Sequence, residues 1–277
     1  MKAVRFVSPE GAIRIGALEN GRVRDAGPAG PHGFVPSQEA WEALGAADGP
    51  EYDLGAIRLL HPVLPEKILA IGVNYRSHAD ESELEVPETP VVFAKWSSAL
   101  IGPDEEIVIP LEETRPDFEG EVAVVLGETV YRADEEAARR AIGGITAIHD
   151  VSGRRAQLET PLRQFTLGKS FDTFAPLGPC IASADSIDLD DIRLRTRVSG
   201  ELMQDASTSD LVFGFVDLVV YLSKGLTLEA GDVIATGTPG GVGDSRTPSR
   251  YLQEGDVVEI EVAGVGTLRN PVRRESA

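Results

Sequence analysis

The chain has 277 residues, 26 Lys+Arg against 45 Asp+Glu for a net charge of −19, 42% hydrophobic residues and one Cys. That length supports a sizeable core, in one large domain or a large domain with a small companion, and the charge makes nucleic acid and anionic membrane surfaces poor partners, because both need clustered cations. Cys180 alone closes no intrachain disulfide and no apolar stretch has signal-peptide or bilayer-spanning length, so the expected location is cytoplasmic.

With 29 Gly and 18 Pro, many tight turns between short strands are expected. IRIGAL and RVR flank Asn20-Gly21, which predicts a hairpin over residues 13–24. Ser37 is the predicted N-cap of a short helix ending at Gly45. Pro62 and Pro65 then punctuate a division near residue 63, between a small β-rich N-terminal module (1–63) and a larger body (64–277). In the body, KILAIGV, TPVVFAK, EVAVVLG, GITAIHD, DVIATG and DVVEIEV read as strands. Helices are predicted after Asp134, ending at Gly143, and from Ser209 to Lys224, where Leu211, Val212, Phe215, Leu218, Val219 and Leu222 share a face. Strands do not alternate regularly with helices, so the expected class is α+β, mixed and mostly antiparallel.

In Asp117-Phe118-Glu119-Gly120-Glu121, read as strand, Glu119 and Glu121 share a face about 7 Å apart at Cα. The apolar run that follows suggests burial on both faces. Two carboxylates about 4 Å apart repel by about 4 kcal/mol at an effective dielectric near 20, so they must share a proton or a cation. Asp150, at the end of GITAIHD, is a candidate third carboxylate, and an all-oxygen set selects Mg²⁺ or Mn²⁺ over Zn²⁺. The alternative is a solvent-facing edge strand.

His78 and Glu81, three apart, meet across one helical turn as a water-activating dyad or as a plain surface pair. The polar stretch after them, residues 82–90, reads as a lid loop. Lys169 is a candidate anion binder, outside any Walker A motif because Arg163 stands where that motif requires Gly. The Gly-rich run from Thr236 to Gly243 either wraps a ligand carboxylate with backbone N–H groups or is a wide turn.

GVNYRSHADE, VVFAKWSSALIGP, DFEGEVAVVLG, IHDVSGRRAQ, LGKSFDTFAPLGP and LEAGDVIATGTPGGVG, in this order over about residues 64 to 270, strongly resemble the fumarylacetoacetate hydrolase family. The resemblance implies that family's β-roll fold, often dimeric, with Mg²⁺ or Mn²⁺ held by Glu119, Glu121 and Asp150. It places catalytic roles on His78, Glu81 and Lys169, and substrate contacts on Arg154, Gln157, Thr238 and Lys95. The implied substrates are small 2-oxo acids. The expected reaction is hydrolysis of a C–C bond in a 2,4-dioxo acid such as an acylpyruvate, through a metal-stabilised enolate. Oxaloacetate decarboxylation, a 2-hydroxymuconate-type isomerisation at the same site, or non-catalytic dicarboxylate binding are the alternatives. Many members read SARD or TARD where this chain has Ser152-Gly153-Arg154-Arg155, which leaves open the carboxylate that meets Arg154.

Overall fold

The computed structural model describes residues 1–81 and 85–276, so positions 82–84 of the expected lid loop lie outside the described residues. The N-terminal part contains β1 (Lys2–Val7), β2 (Ile13–Glu19), β3 (Arg22–Pro28), α1 (Gln38–Gly45), β4 (Glu51–Asp53) and β5 (Arg58–Leu60). There follow β6 (Ile68–Gly72), α2 (Arg76–Glu81), β7 (Val91–Lys95), β8 (Leu100–Ile101), β9 (Ile107–Ile109), β10 (Pro116–Asp117) and β11 (Gly120–Leu126). Next come α3 (Glu135–Ala141), β12 (Ile142–His149), β13 (Ser152–Gly153), α4 (Arg154–Leu158), α5 (Phe165–Gly168) and β14 (Ala175–Ser183). The chain closes with β15 (Arg193–Val198), β16 (Glu201–Ser207), α6 (Phe215–Ser223), β17 (Val233–Ala235), β18 (Val257–Val262) and β19 (Gly266–Arg274).

A 12-stranded sheet runs β4-β3-β2-β1-β14-β12-β11-β17-β6-β7, with β5 on β1 and β8 on β14. Pairing is antiparallel except for β17 with β6 and β14 with β8. A 5-stranded sheet, β16-β15-β18-β19-β9, packs on one face of its centre, and β10 pairs with β13. The fold is therefore mixed and mostly antiparallel α+β, as the irregular spacing of helical patterns implies.

All seven residues of β11 are buried. Val122, Val124 and Leu126 join the core shared with Val258, Ile260 and Leu218, while Ala123 and Val125 join Phe34, Trp41 and Ile148 on the other side. A strand covered on both faces needs no polar alternation, which accounts for its apolar run.

Asn20 and Gly21 both take positive φ, 50° and 76°, in the predicted hairpin. Ser37 caps α1 by accepting from Ala40 N at 3.1 Å. The N-terminal part is locked to the central strands where Trp41 Nε1 donates to the Gly143 carbonyl at 3.0 Å. There Gly143 and Gly127 pack backbone to backbone under the Pro36 carbonyl, and a Cβ on Gly143 would stand 2.8 Å from Gly127 N. Gly143→Ala is expected to cost about 3 kcal/mol, read as a lowered urea midpoint at unchanged m-value.

Two helices differ from expectation. α3 stops at Ala141, because Ile142 and Gly143 already belong to β12. α6 starts six residues later than the apolar periodicity predicts. Leu211 to Gly214 are held out of the helix by Asn74, whose Oδ1 accepts from Phe213 N at 2.9 Å and whose carbonyl accepts from Val212 N at 2.8 Å. Gly214 is the N-cap, and Asp217 accepts from its N–H at 3.0 Å. Among the described residues no helix is long and apolar enough to cross a membrane.

Candidate active site

Glu119 precedes β11, Glu121 lies on it, and Asp150 follows β12, its N–H donating to the Glu119 carbonyl at 2.9 Å. Because β11 and β12 are neighbours with Glu121 opposite Ile148, the three carboxylates converge at one end of the pair. Each offers an oxygen within 4.8 Å of the others, and all three are at most 5% exposed. The solvent-facing edge strand is thereby excluded.

Three cations enter the cluster. Lys169 Nζ donates to Glu119 Oε2 at 2.6 Å and to Asp150 Oδ2 at 2.7 Å. Lys95, from the end of β7, donates to Asp150 Oδ1 at 2.6 Å and also contacts the Lys169 carbonyl. Arg154, at the start of α4, gives its Nη2 to Glu119 Oε1 at 2.6 Å and to Asp117 Oδ2 at 2.8 Å, and its Nη1 to Gln157 Oε1 at 3.0 Å. Burial alone would raise Glu119, but Lys169 and Arg154 outweigh it and hold that carboxyl well below the usual range. Among the described residues no cation hydrogen-bonds Glu121: burial, then Asp150 and Glu119, push it well above the ordinary carboxylate value against the more distant pull of Lys169. Its Oε2 accepts from the Gly237 N–H at 2.8 Å.

Asp117 is the partner of Arg154 that the departure from SARD left open. It also accepts from Gly243 N at 2.7 Å and Asp244 N at 3.1 Å. Arg155 turns away to Glu159, 3.6 Å distant, and the first turn of α4 is held instead by Glu113, which accepts from Arg155 N and Ala156 N.

His78 and Glu81 lie on the single short helix α2, with His78 Nδ1 4.0 Å from Glu81 Oε2. The imidazole is mostly buried, its Nδ1 has no hydrogen-bond partner among the described residues, and burial holds it below its ordinary pKa, so it is neutral at pH 7. Glu119, Arg154 and Lys169 act on that ring, which ties the dyad to the carboxylate cluster. Glu81 Oε2 accepts from Gly241 N at 2.7 Å.

Of the two readings of the Gly-rich run these amides fit the turn, since Gly237, Gly241 and Gly243 N–H hold the protein's own Glu121, Glu81 and Asp117. Thr238 donates to the Gly120 carbonyl at 3.0 Å and accepts from Gln204 at 2.7 Å. Asp117, Glu113, Gln204 and Asn74 carried no assignment from sequence. Asp117 was signalled only by standing two residues before Glu119, and the others by nothing local. His149 was also missed: fully buried beside Asp150, it is pushed down to about 3 by burial and then by Lys95, with both ring nitrogens unpartnered among the described residues.

The model of the fumarylacetoacetate hydrolase C-terminal domain matches residues 67–273. The chain belongs to this family. It is 43% identical over 218 residues to a mitochondrial oxaloacetate tautomerase of Xenopus laevis, covering 78% of this chain and 68% of that protein. The structure of a 5-carboxymethyl-2-hydroxymuconate delta-isomerase from Mycobacterium smegmatis superposes with a TM-score of 0.83 at 34% identity, over 100% of both chains. A 2-hydroxyhepta-2,4-diene-1,7-dioate isomerase from Mycobacterium marinum does so with a TM-score of 0.81 at 33% identity, again over 100% of both. The family is one of enzymes, and these relatives rearrange oxo or hydroxy diacids by name.

Proposed function

We propose that this enzyme moves a proton on a metal-chelated 2-oxo dicarboxylate, interconverting its enol and keto forms. The observation that carries the reading is the buried set Glu119, Glu121 and Asp150 beside a neutral imidazole. Its all-oxygen donors fit Mg²⁺ or Mn²⁺, and Glu121, without a cation of its own, is the donor in most need of one. When bound, the ion supplies Lewis-acid polarisation of the substrate's 2-oxo carboxylate. The remaining chemistry belongs to side chains. Four buried carboxylates, with Asp117 the fourth, face three buried cations, so a divalent ion turns the local charge positive and attracts an anion into a protein of net charge −19.

His78 accepts and returns the proton at the carbon next to the ketone, with the Glu81 carboxylate 4.0 Å from Nδ1 on the same turn of helix. Lys169 sets positive charge beside the enolate oxygen, with Lys95 as a second fixed charge on Asp150. Arg154, Gln157 and Thr238 contact the substrate carboxylate. We include in this proposal a cytoplasmic homodimer and a division at residue 63 between an N-terminal module and the catalytic domain.

A second reading is hydrolysis of the C–C bond of an acylpyruvate, favoured by the Glu81 carboxylate beside His78, which suits the pair to deprotonating water. Adding oxaloacetate enol or an acylpyruvate to Mn²⁺-loaded protein distinguishes them. Rapid ketonisation of oxaloacetate enol without pyruvate release supports proton transfer, pyruvate released from the acylpyruvate together with one equivalent of the carboxylic acid supports hydrolysis, and neither outcome overturns both.

The base works only when neutral, so kcat/KM is expected to be flat above neutrality and to fall on acidification. The midpoint lies below the ordinary histidine value of 6.5, because burial lowers His78. A pH–rate profile checks this; an acid limb centred above 6.5 would remove His78 from the role.

A further inference from the structure

β11 loses a neighbour where its carboxylates begin. β17 pairs with it over Ala123 to Val125 and stops short of Gly120, the single residue between Glu119 and Glu121. The Gly120 N–H and C=O are nevertheless both bonded, and to side chains. Gly120 N donates to Gln204 Oε1 at 3.0 Å, and the Gly120 carbonyl accepts from Thr238 Oγ1 at 3.0 Å. Gln204 Nε2 in turn donates to Thr238 Oγ1 at 2.7 Å and to the Pro239 carbonyl at 2.9 Å. Gly120, Gln204 and Thr238 thus close a ring of hydrogen bonds at the point where the ladder has ended.

Gln204 reaches this point from the other sheet. It lies on β16, opposite Thr196 of β15, and is 1% exposed. A Cβ on Gly120 would collide with the Thr196 hydroxyl oxygen, so glycine is what lets the second sheet approach this closely. A primary amide suits the place, because it accepts at one end and donates twice at the other. On the opposite edge of β11 the Glu119 carbonyl accepts from Asp150 N at 2.9 Å. The path of the chain between the two glutamates is therefore fixed by Gln204 and Thr238 on one side and by Asp150 on the other.

We infer that Gln204 is a positioning residue, which acts through Gly120 to hold the Glu119 and Glu121 carboxylates at the spacing a small divalent ion requires. This rests on the chelating-site reading above and deepens it. Mg²⁺ demands near-octahedral donors at about 2.0–2.1 Å, whereas Ca²⁺ accepts irregular sets at about 2.3–2.6 Å. Loosening the backbone between the glutamates therefore penalises the smaller ion more.

Calorimetric titration of chelator-treated protein with Mg²⁺ and with Ca²⁺, without substrate, tests this. Gln204→Leu is expected to weaken Mg²⁺ binding about tenfold and Ca²⁺ binding by less than about threefold. Thr238→Val opens the same ring from its other side and should shift the ratio in the same direction, while Thr238→Ser keeps the hydroxyl and should restore it. An unchanged ratio overturns the inference, whether both affinities hold or both fall together, because a role confined to packing the two sheets treats the two ions alike. If Gln204→Leu does not fold, the two Thr238 variants decide by the same ratio. If wild-type protein takes up neither ion, the chelating site itself fails; if it binds Mg²⁺ and the variants keep its preference, only the positioning role does.

Discussion

Glu119→Gln is expected to abolish uptake of Mg²⁺ and Mn²⁺ and, with it, all measurable turnover. The change removes a ligand charge and also disturbs two buried cations. Lys169 Nζ and Arg154 Nη2 each stand 2.6 Å from a Glu119 oxygen. An amide accepts from one of them and offers the other a donor. Removing one partner from a buried ion pair costs about 3–5 kcal/mol, so lower thermal stability is expected as well. Calorimetric titration with Mn²⁺ at a temperature where the variant is folded checks the assignment. Metal uptake with wild-type affinity would remove Glu119 from the donor set and leave its contacts with Lys169 and Arg154 as its role.

His78→Ala is expected to lower kcat by about 10²–10⁴ with Mn²⁺ affinity preserved, because the imidazole supplies proton transfer and no oxygen of the donor set. Its place on a six-residue helix, with Nδ1 unpartnered among the described residues, makes a large stability loss unexpected. Loss of the acid limb from the pH–rate profile should accompany the loss of rate. Glu81→Gln keeps an acceptor for Gly241 N and should cost less. Undiminished turnover in His78→Ala would transfer the base function to another group.

Local signals carried much of this structure. Asn20-Gly21, Ser37 and the β-branched runs act over a few residues, and the hairpin, α1 and central strands lie where those residues place them. The carboxylate pair was legible for a related reason: an acidic i, i+2 pattern leading into a run buried on both faces has few stable solutions other than a shared charge. What sequence hid was long-range. The start of α6 depends on Asn74, 139 residues from Phe213. The support of Arg154 depends on Asp117, 37 residues away, and no periodicity encodes either pairing. The Gly-rich run kept two readings because the chain alone does not tell whether an amide faces a ligand or the protein's own acid.

That run has a consequence for how the enzyme tolerates change. One short loop steadies Glu121, Glu81 and Asp117, the last of which anchors the Arg154 guanidinium, and it does so through main-chain amides. Support of this kind is written in the path of the backbone, so most side-chain drift nearby leaves it intact. A single Cβ at Gly241, where the Met203 carbonyl crowds in and φ is 101°, would disturb all three functions together. Injury there should register as simultaneous loss of metal affinity, proton transfer and substrate binding, a shared fragility that scanning one acidic residue at a time would not reveal.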